Sequence, residues 1–135
     1  MKVPRLPLAA AFFALAVGAP LPGCARPFRY PTAHAPRAGA VQEGVASWYG
    51  HGYHGKKTAS GERFDQNGLT AAHVSWAFGT RVRVTFPRTG RSVVVRINDR
   101  FPSHKGRVID LSKGAARAIG LIGPGTGRVR LEVLG

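Results

Sequence analysis

Two neighbouring stretches of the chain show the alternation of apolar and polar residues that is typical of β-strands. Residues 80–86 (TRVRVTF) place two valines on one face and two arginines on the other, as in a half-buried strand. Residues 91–97 (RSVVVRI) are rich in β-branched side chains, which favour strands. Because residues 87–90 (PRTG) lie between them as a turn signal, the pattern predicts a β-hairpin.

The remaining pattern predicts short elements of the same kind. Further strands are predicted at residues 44–50, 108–111 and 127–134. One Ala-rich helix is predicted at residues 113–119, with Ser112 as its N-cap and Gly120 at its end. Short strands, Gly-rich turns and one or two short helices indicate a mainly β fold, and specifically a small barrel.

The start of the chain has the pattern of a signal peptide. Lys2 and Arg5 give it a positive charge, and residues 6–17 (LPLAAAFFALAV) form an apolar run. This run is too short to span a bilayer, which takes roughly 20 residues, but it fits the core of a signal peptide. We therefore expect residues 1–23 to direct export.

Cys24, the single cysteine of the chain, follows this segment directly. The sequence Leu-Pro-Gly-Cys around it resembles the lipobox of bacterial lipoproteins, although Pro22 departs from the usual pattern. The resemblance implies cleavage before Cys24, lipidation (with palmitate among the acyl chains) and anchoring to a membrane. The anchored protein would face the periplasm. Ala25 after the cysteine favours sorting to the outer membrane, if the cell has an outer membrane. The alternative is an ordinary secretory peptide that leaves an unpaired thiol.

Residues 25–43 are rich in Pro, Ala and Arg and show no apolar period. They indicate a flexible linker from Cys24 to residue 43, in which His34 is solvated. The folded domain is accordingly expected at residues 44–135.

The charge of the chain is strongly positive, with 20 Lys and Arg against 6 Asp and Glu and a formal net charge of +14. Such an excess attracts polyanions and anionic surfaces. Export argues against nucleic acid as the partner. Because acids are so scarce, each one is a candidate for a site, a cap or a buried ion pair. They are Glu43, Glu62, Asp65, Asp99, Asp110 and Glu132.

Four segments carry most of these acids and resemble one known family. They are residues 46–50 (ASWYG), 58–65 (TASGERFD) continuing to 69–73 (LTAAH), 95–100 (VRINDR) and 107–112 (RVIDLS). In this order they resemble the rare-lipoprotein-A (RlpA-like) family across residues 44–135. The resemblance implies a six-stranded double-psi β-barrel, related to barwin and expansin domains.

The same resemblance implies a lytic transglycosylase that acts on peptidoglycan strands stripped of stem peptides. Such enzymes break the β-1,4 bond between N-acetylmuramic acid and N-acetylglucosamine without water and leave a 1,6-anhydro end. The reaction needs a proton donor and a proton acceptor but no cofactor. We expect a monomer without a SPOR domain, which leaves septal targeting in doubt.

Three residues match catalytic positions of the family: Glu62 in the SGE turn, Asp99 in NDR and His73 at the end of LTAAH. From the residues alone, Asp99 follows an apolar strand and should lie at the barrel rim. Each has a simpler interpretation, since Asp99 could pair with Arg100, Glu62 could be a solvated acid, and His73 could hold a loop. Whether Glu62 or Asp99 is the general acid stays open.

Other polar and aromatic residues are assigned supporting roles. Asp65 and Asp110 are expected to accept backbone N–H bonds at turns and helix starts and so to support the structure. The candidate substrate-binding residues are Tyr49, Tyr53, Phe64, Asn98 and Arg100, with core packing as the alternative for the aromatic ones. His51 and His54 lack a third ligand, so no metal is expected.

A second function remains open from the sequence. The same groove and charge would suit a non-catalytic, expansin-like module that binds cell-wall glycans. Residues 101–106 (FPSHKG) also depart from the Gly-Pro-Phe run that many family members carry after NDR. This departure changes the loop beside Asp99.

Overall fold

The computed structural model describes residues 31–102 and 104–135. The predicted signal peptide of residues 1–23 and the predicted lipidation of Cys24 lie outside the described residues. Among the residues described, no helix is long and apolar enough to cross a membrane.

Six strands close into a barrel, as expected, and one helix follows the fifth strand. The elements are β1 Val41–Tyr49, β2 Thr70–Ala72, β3 Arg81–Phe86, β4 Arg91–Asp99, β5 Arg107–Ser112, α1 Lys113–Ile119 and β6 Gly127–Val133. Around the barrel the order is β1-β5-β2-β4-β3-β6. The pairs β1–β5 and β2–β4 are parallel and the others antiparallel. Closure leaves none of the six strands with an edge free to pair with another chain, within the part of the chain that the structure describes.

The predicted hairpin of β3 and β4 forms one wall of the barrel. Val82 and Val84 are fully buried, while Arg81 and Arg83 face the solvent, as the alternation predicted. The core inside the barrel consists of apolar side chains, most of them aliphatic, from every long strand. Its largest members include Phe86, Ile97, Ile109, Leu111 and Leu131.

The predicted helix is confirmed together with both of its ends. The Ser112 hydroxyl accepts a hydrogen bond from the Ala115 N–H at 3.2 Å, as an N-cap does. Gly120 ends the helix in the left-handed conformation, with φ 78°, which glycine adopts without strain. The Ser112 hydroxyl also donates to the carbonyl of Gly68 at 2.5 Å, which ties α1 to the loop before β2.

Several strand ends differ from the sequence prediction, and one strand was not predicted. β1 begins at Val41 rather than at residue 44, because Val41 and the residues after it pair with β6. β4 continues to Asp99, so this residue ends the strand instead of following it. β2 was not predicted, because three residues (TAA) are too few to show a period; its pairing with β4 and β5 stabilises it.

The end of the predicted linker contacts the barrel. The His34 N–H donates to the carbonyl of Ser75 at 3.0 Å, and the His34 carbonyl accepts from Ala77 at 2.8 Å. His34 is therefore held through its backbone instead of being merely solvated.

Gly114 in α1 provides a test of how the helix packs. A Cβ added there would lie 2.5 Å from the Asn67 carbonyl oxygen, which belongs to the backbone and cannot move aside cheaply. Gly114→Ala should therefore lower the free energy of unfolding by about 1–3 kcal/mol, although alanine is the better helix former. Urea unfolding of the purified domain measures the change.

Gly123→Ala is the matched control, because a Cβ at Gly123 meets nothing within 4 Å. It should change the free energy of unfolding by no more than about 0.5 kcal/mol. A stabilised Gly114→Ala protein would contradict the close approach of α1 to Asn67.

Candidate functional site

The short strand β2 places two carboxylates on one side of the barrel. Ala72 pairs with Asp99 of β4 on one side and with Asp110 of β5 on the other. Residues that are directly opposite on adjacent strands project to the same face of a sheet. Two strand spacings separate the Cα atoms of Asp99 and Asp110 by about 10 Å.

Both carboxylates open on a cleft of about 250 Å³. The cleft also collects aromatic and cationic side chains. Its lining includes Tyr49, Tyr53, Ala72, Asp99, Arg100, Phe101, Pro102, Arg107 and Asp110. Four of the residues predicted for the site, namely Tyr49, Tyr53, Asp99 and Arg100, therefore meet here.

Asp99 is held by three hydrogen-bond donors. Its Oδ1 accepts from the backbone N–H groups of Ala59 and Arg100, both at 2.9 Å. Its Oδ2 accepts from the Tyr49 hydroxyl at 3.2 Å. An ionised carboxylate only accepts hydrogen bonds, so this geometry fits a carboxylate with a fixed orientation.

Tyr49 keeps its proton and remains a donor to Asp99. Burial, followed by the negative charge of Asp99, raises the pKa of Tyr49. Its ring stacks on Phe64 at 4.5 Å between centroids and meets the edge of Tyr53 at 5.7 Å. Phe64 is only 3% exposed, so the sugar-binding role predicted for it does not fit. It packs against the buried face of the Tyr49 ring instead.

Asp110 departs from its predicted role of accepting backbone N–H bonds at a helix start, because it lies within β5 and its contacts are with side chains. Its side chain is 13% exposed and contacts the Arg107 guanidinium through Nε at 3.1 Å. The Ser47 hydroxyl donates to the same oxygen, Oδ1. Burial raises the pKa of Asp110, and this effect outweighs the opposing effects of Ser47 and Arg107.

An irregularity in β5 brings Arg107 to Asp110. Val45 of β1 pairs with Arg107, but the next residue, Ala46, pairs with Ile109, so β5 has one extra residue at this point. Residues three apart on a regular strand project to opposite faces, whereas a bulge restores them to the same face. Sequence reasoning missed Arg107 for this reason, although it lies in the RVIDL segment.

Glu62 lies outside the lining of the cleft and is bound by an ion pair. Arg96 contacts both of its carboxylate oxygens, at 2.8 and 2.6 Å, and the Asn98 amide donates to Oε1 at 3.0 Å. Hydrogen bonds from Arg96 and then from Asn98 lower the pKa of Glu62 to about 2. Asn98 itself is 1% exposed, so it holds Glu62 instead of reaching a substrate as predicted.

Glu62 and Asp99 are nevertheless linked through one loop. The Thr58 N–H donates to the carbonyl of Glu62 at 2.8 Å, which closes a tight turn. Ala59, inside that turn, supplies one of the two N–H groups on Asp99. The ion pair between Glu62 and Arg96 thus fastens the turn that orients Asp99.

Both ring nitrogens of His73 are engaged within the protein. Nδ1 accepts the backbone N–H groups of Ser75 and Trp76 at 3.1 and 3.0 Å, so the proton lies on Nε2, 3.0 Å from the Gln42 side-chain oxygen. Burial, and then the charge of Arg100, lower the pKa of His73 to about 4. The geometry fits the loop-holding interpretation, and the backbone N–H of His73 also donates to the Asp99 carbonyl at 3.1 Å.

The remaining candidates lie on the surface. Asp65 accepts the Asn67 N–H at 2.9 Å in a turn, and His54 accepts the Gln66 N–H at 3.2 Å. Within residues 31–102 and 104–135, no group of three or more His, Cys, Asp or Glu side chains has the arrangement of a metal site.

Comparison with known proteins gives a consistent family match. Residues 41–131 match the family described as lytic transglycolase. The probable endolytic peptidoglycan transglycosylase RlpA of Synechocystis is 63% identical over 94 residues, which are 70% of this chain and 29% of that protein. The endolytic peptidoglycan transglycosylase RlpA of Campylobacter jejuni is 53% identical over 106 residues, 78% of this chain and 38% of that protein. The chain thus spans about a third of the length of these curated relatives.

Two solved structures share the fold. Streptomyces papain inhibitor aligns with a TM-score of 0.62 at 22% identity and covers 76% of this chain and all of that one. A mutant expansin of Clavibacter michiganensis in complex with cellohexaose aligns with a TM-score of 0.57 at 21% identity and covers 71% of this chain and 51% of that one. With the family match, these similarities confirm the predicted double-psi β-barrel.

The buried His73 predicts a stability that depends on pH. The unfolded chain binds a proton at His73 below a pKa of about 6.5, whereas the folded protein does so only near 4. The unfolded state therefore gains protons first as pH falls, so stability decreases through this window. From pH 7 to pH 5 the contribution of His73 to the free energy of unfolding should fall by roughly 1–2 kcal/mol.

Urea unfolding at the two pH values measures this difference in His73→Asn and in the wild type. Asparagine keeps an acceptor near Nδ1 but does not titrate, so the variant should lose less stability than the wild type between pH 7 and pH 5. His51→Asn, at an exposed histidine, should behave like the wild type. An equal loss in all three proteins would show that His73 is not held neutral.

Proposed function

The chain belongs to the lytic transglycolase family, and from this premise we propose that its barrel cleaves peptidoglycan glycan strands by transglycosylation. The substrate is a strand poor in stem peptides, and the product carries a 1,6-anhydro-N-acetylmuramic acid end. The observation that carries the proposal is the Asp99 carboxylate, held by three donors inside a cleft that also contains exposed aromatic surface. The names of the relatives from Synechocystis and Campylobacter agree with it.

Asp99 is the base in this proposal. The C6 hydroxyl of the muramoyl residue gives its proton to Asp99 while its oxygen forms a bond to C1 of the same sugar. The bond between C1 and the O4 oxygen of N-acetylglucosamine breaks, and O4 takes a proton from an acid. No water is consumed. The three donors to Asp99 fix the orientation of its carboxylate, so that a free electron pair can point at the C6 hydroxyl.

Tyr53 is the residue best placed to contact sugar. Its side chain lies at the cleft and is 55% exposed, whereas Phe64 is covered. An aromatic face packs well against the C–H face of a pyranose ring, and Tyr49 supports the Tyr53 ring at its edge. Arg100 lies over the Phe78 ring, 4.1 Å from its centroid, and lines the same cleft.

The decisive test is product formation by the purified domain on glycan strands freed of stem peptides. The wild type should release 1,6-anhydro products, which mass spectrometry identifies. Asp99→Asn should lower their rate by about 100-fold or more, because general base catalysis is worth 10²–10⁴-fold, while binding to the strands is retained. Asp65→Asn, in an exposed turn, is the control that should keep full activity.

Two outcomes would count against the proposal in different ways. Binding without anhydro products, under conditions where a known lytic transglycosylase works, would favour the expansin-like binding module. Full activity of Asp99→Asn would remove this residue from the reaction.

We further propose that the protein is exported and held at a membrane by a lipid on Cys24, facing the periplasm. The apolar run before Cys24 and the lipobox-like sequence support this anchor. The net charge of +14 would then assist the approach of the barrel to an anionic envelope.

Detergent phase partition tests the anchor in cells that express the whole chain. The wild type should enter the detergent phase, and Cys24→Ala should stay in the aqueous phase. A wild type found only in the aqueous phase would rule out lipidation.

A further inference from the structure

We propose that Asp110, and not Glu62, is the general acid that protonates the leaving oxygen in the cleft. The inference rests on the proposed function and names the second catalytic residue of the same site. It gives a direct role to a carboxylate for which the sequence favoured structural support over direct involvement.

The first argument is position. Asp99 and Asp110 flank Ala72 on the two neighbouring strands and line one cleft, whereas Glu62 does not line it. The Tyr49 hydroxyl donates to Asp99 at 3.2 Å, and its side chain lines the cleft together with both carboxylates. A glycosidic bond placed over Ala72 would have one carboxylate on each side.

The second argument is protonation. A general acid must hold a proton before the reaction, which burial and a neighbouring negative charge favour. Both conditions hold for Asp110. Its side chain is only 13% exposed, and burial, followed by the negative charge of Asp99, raises its pKa. The opposing groups are the Ser47 hydroxyl and the Arg107 guanidinium, and both contact Oδ1. Among the described residues both contacts fall on Oδ1, so in the proposal the proton is carried by Oδ2.

Glu62 has the opposite environment. Three donor groups from Arg96 and Asn98 occupy its carboxylate, and they favour the charged form. With its pKa lowered to about 2, Glu62 holds no proton at neutral pH. It can fasten the turn beside Asp99, but it cannot supply a proton to a leaving group.

The complete step then balances with two residues. Asp99 begins as a carboxylate and Asp110 as a carboxylic acid. The C6 hydroxyl proton passes to Asp99 as the C6 oxygen binds C1, and the Asp110 proton passes to O4 as the bond from C1 to O4 breaks. Arg107 stabilises the Asp110 carboxylate that results. Exchange with solvent returns a proton to Asp110 and removes one from Asp99.

The test compares leaving groups that differ in their need for a proton. Purified domains act on natural glycan strands and on a disaccharide in which N-acetylglucosamine is linked to N-acetylmuramic acid and C1 of the muramic acid carries an aryl group. The phenolate leaves this C1 without protonation as the C6 oxygen of the same sugar binds it. Asp110→Asn should lose about 100-fold or more on natural strands and less than about 10-fold on the aryl glycoside. Asp99→Asn should lose activity on both, since both need the C6 hydroxyl deprotonated.

Glu62→Gln is the matched control for the acid. It should reduce turnover of both substrates by a similar factor, because it loosens the turn that orients Asp99. Dependence on the leaving group in Glu62→Gln would overturn the proposal, as would an Asp110→Asn protein that stays fully active or loses both substrates equally. Absence of anhydro product from the wild type would instead refute the proposed function itself.

Arg107→Gln gives a second readout that does not require removal of Asp110. Loss of the guanidinium raises the pKa of Asp110 further, so the alkaline limb of the kcat profile on natural strands should move to higher pH. A merely structural role for Arg107 predicts a lower rate with an unmoved limb, and that result would count against Asp110 as the acid.

Discussion

The candidate site depends on the pairing of a strand only three residues long. β2 has no room for a pattern of its own, and all three of its residues are buried. It is held between β4 and β5 by their ladders and at its start by Ser112, which accepts the Thr70 N–H at 3.4 Å. Because the side chain of Ala72 is only a methyl group, it leaves space for the cleft between β4 and β5. Asp99 and Asp110, on these two neighbouring strands, lie on either side of this space.

The scarcity of acids makes their environments unusually easy to compare. Glu62 and Asp110 have the same functional group and each contacts an arginine. Glu62 is exposed and bound at both oxygens, so the hydrogen bonds determine its pKa and lower it. Asp110 is enclosed and contacts its arginine through one oxygen, so desolvation dominates and raises its pKa. An ion pair therefore does not by itself reveal which carboxylate holds a proton; burial and the number of donors decide.

Local pattern was sufficient to predict some of the structure and not the rest. The β3–β4 hairpin and α1 with its caps depend on neighbouring residues, so alternation, a turn and Ser112 before the helix identified them. The register shift in β5 and the burial of Phe64 and His73 depend on partners far along the chain, and no local signal carries them. Asp99 was predicted from the NDR motif of the family and from its place near the end of an apolar strand. Arg107 was not predicted, since only the bulge brings it to the same face as Asp110.

The link between Glu62 and Asp99 bears on how any loss of activity at Glu62 should be interpreted. The turn closed between Thr58 and Glu62 presents the Ala59 N–H to Asp99, and Arg96 fastens the end of that turn. In the proposed mechanism, removing the charge of Glu62 releases this turn and disturbs the orientation of Asp99, although Glu62 transfers no proton. A carboxylate can thus be required for the reaction through the backbone it positions. The size of a rate loss does not distinguish that role from acid catalysis, but its dependence on the leaving group does.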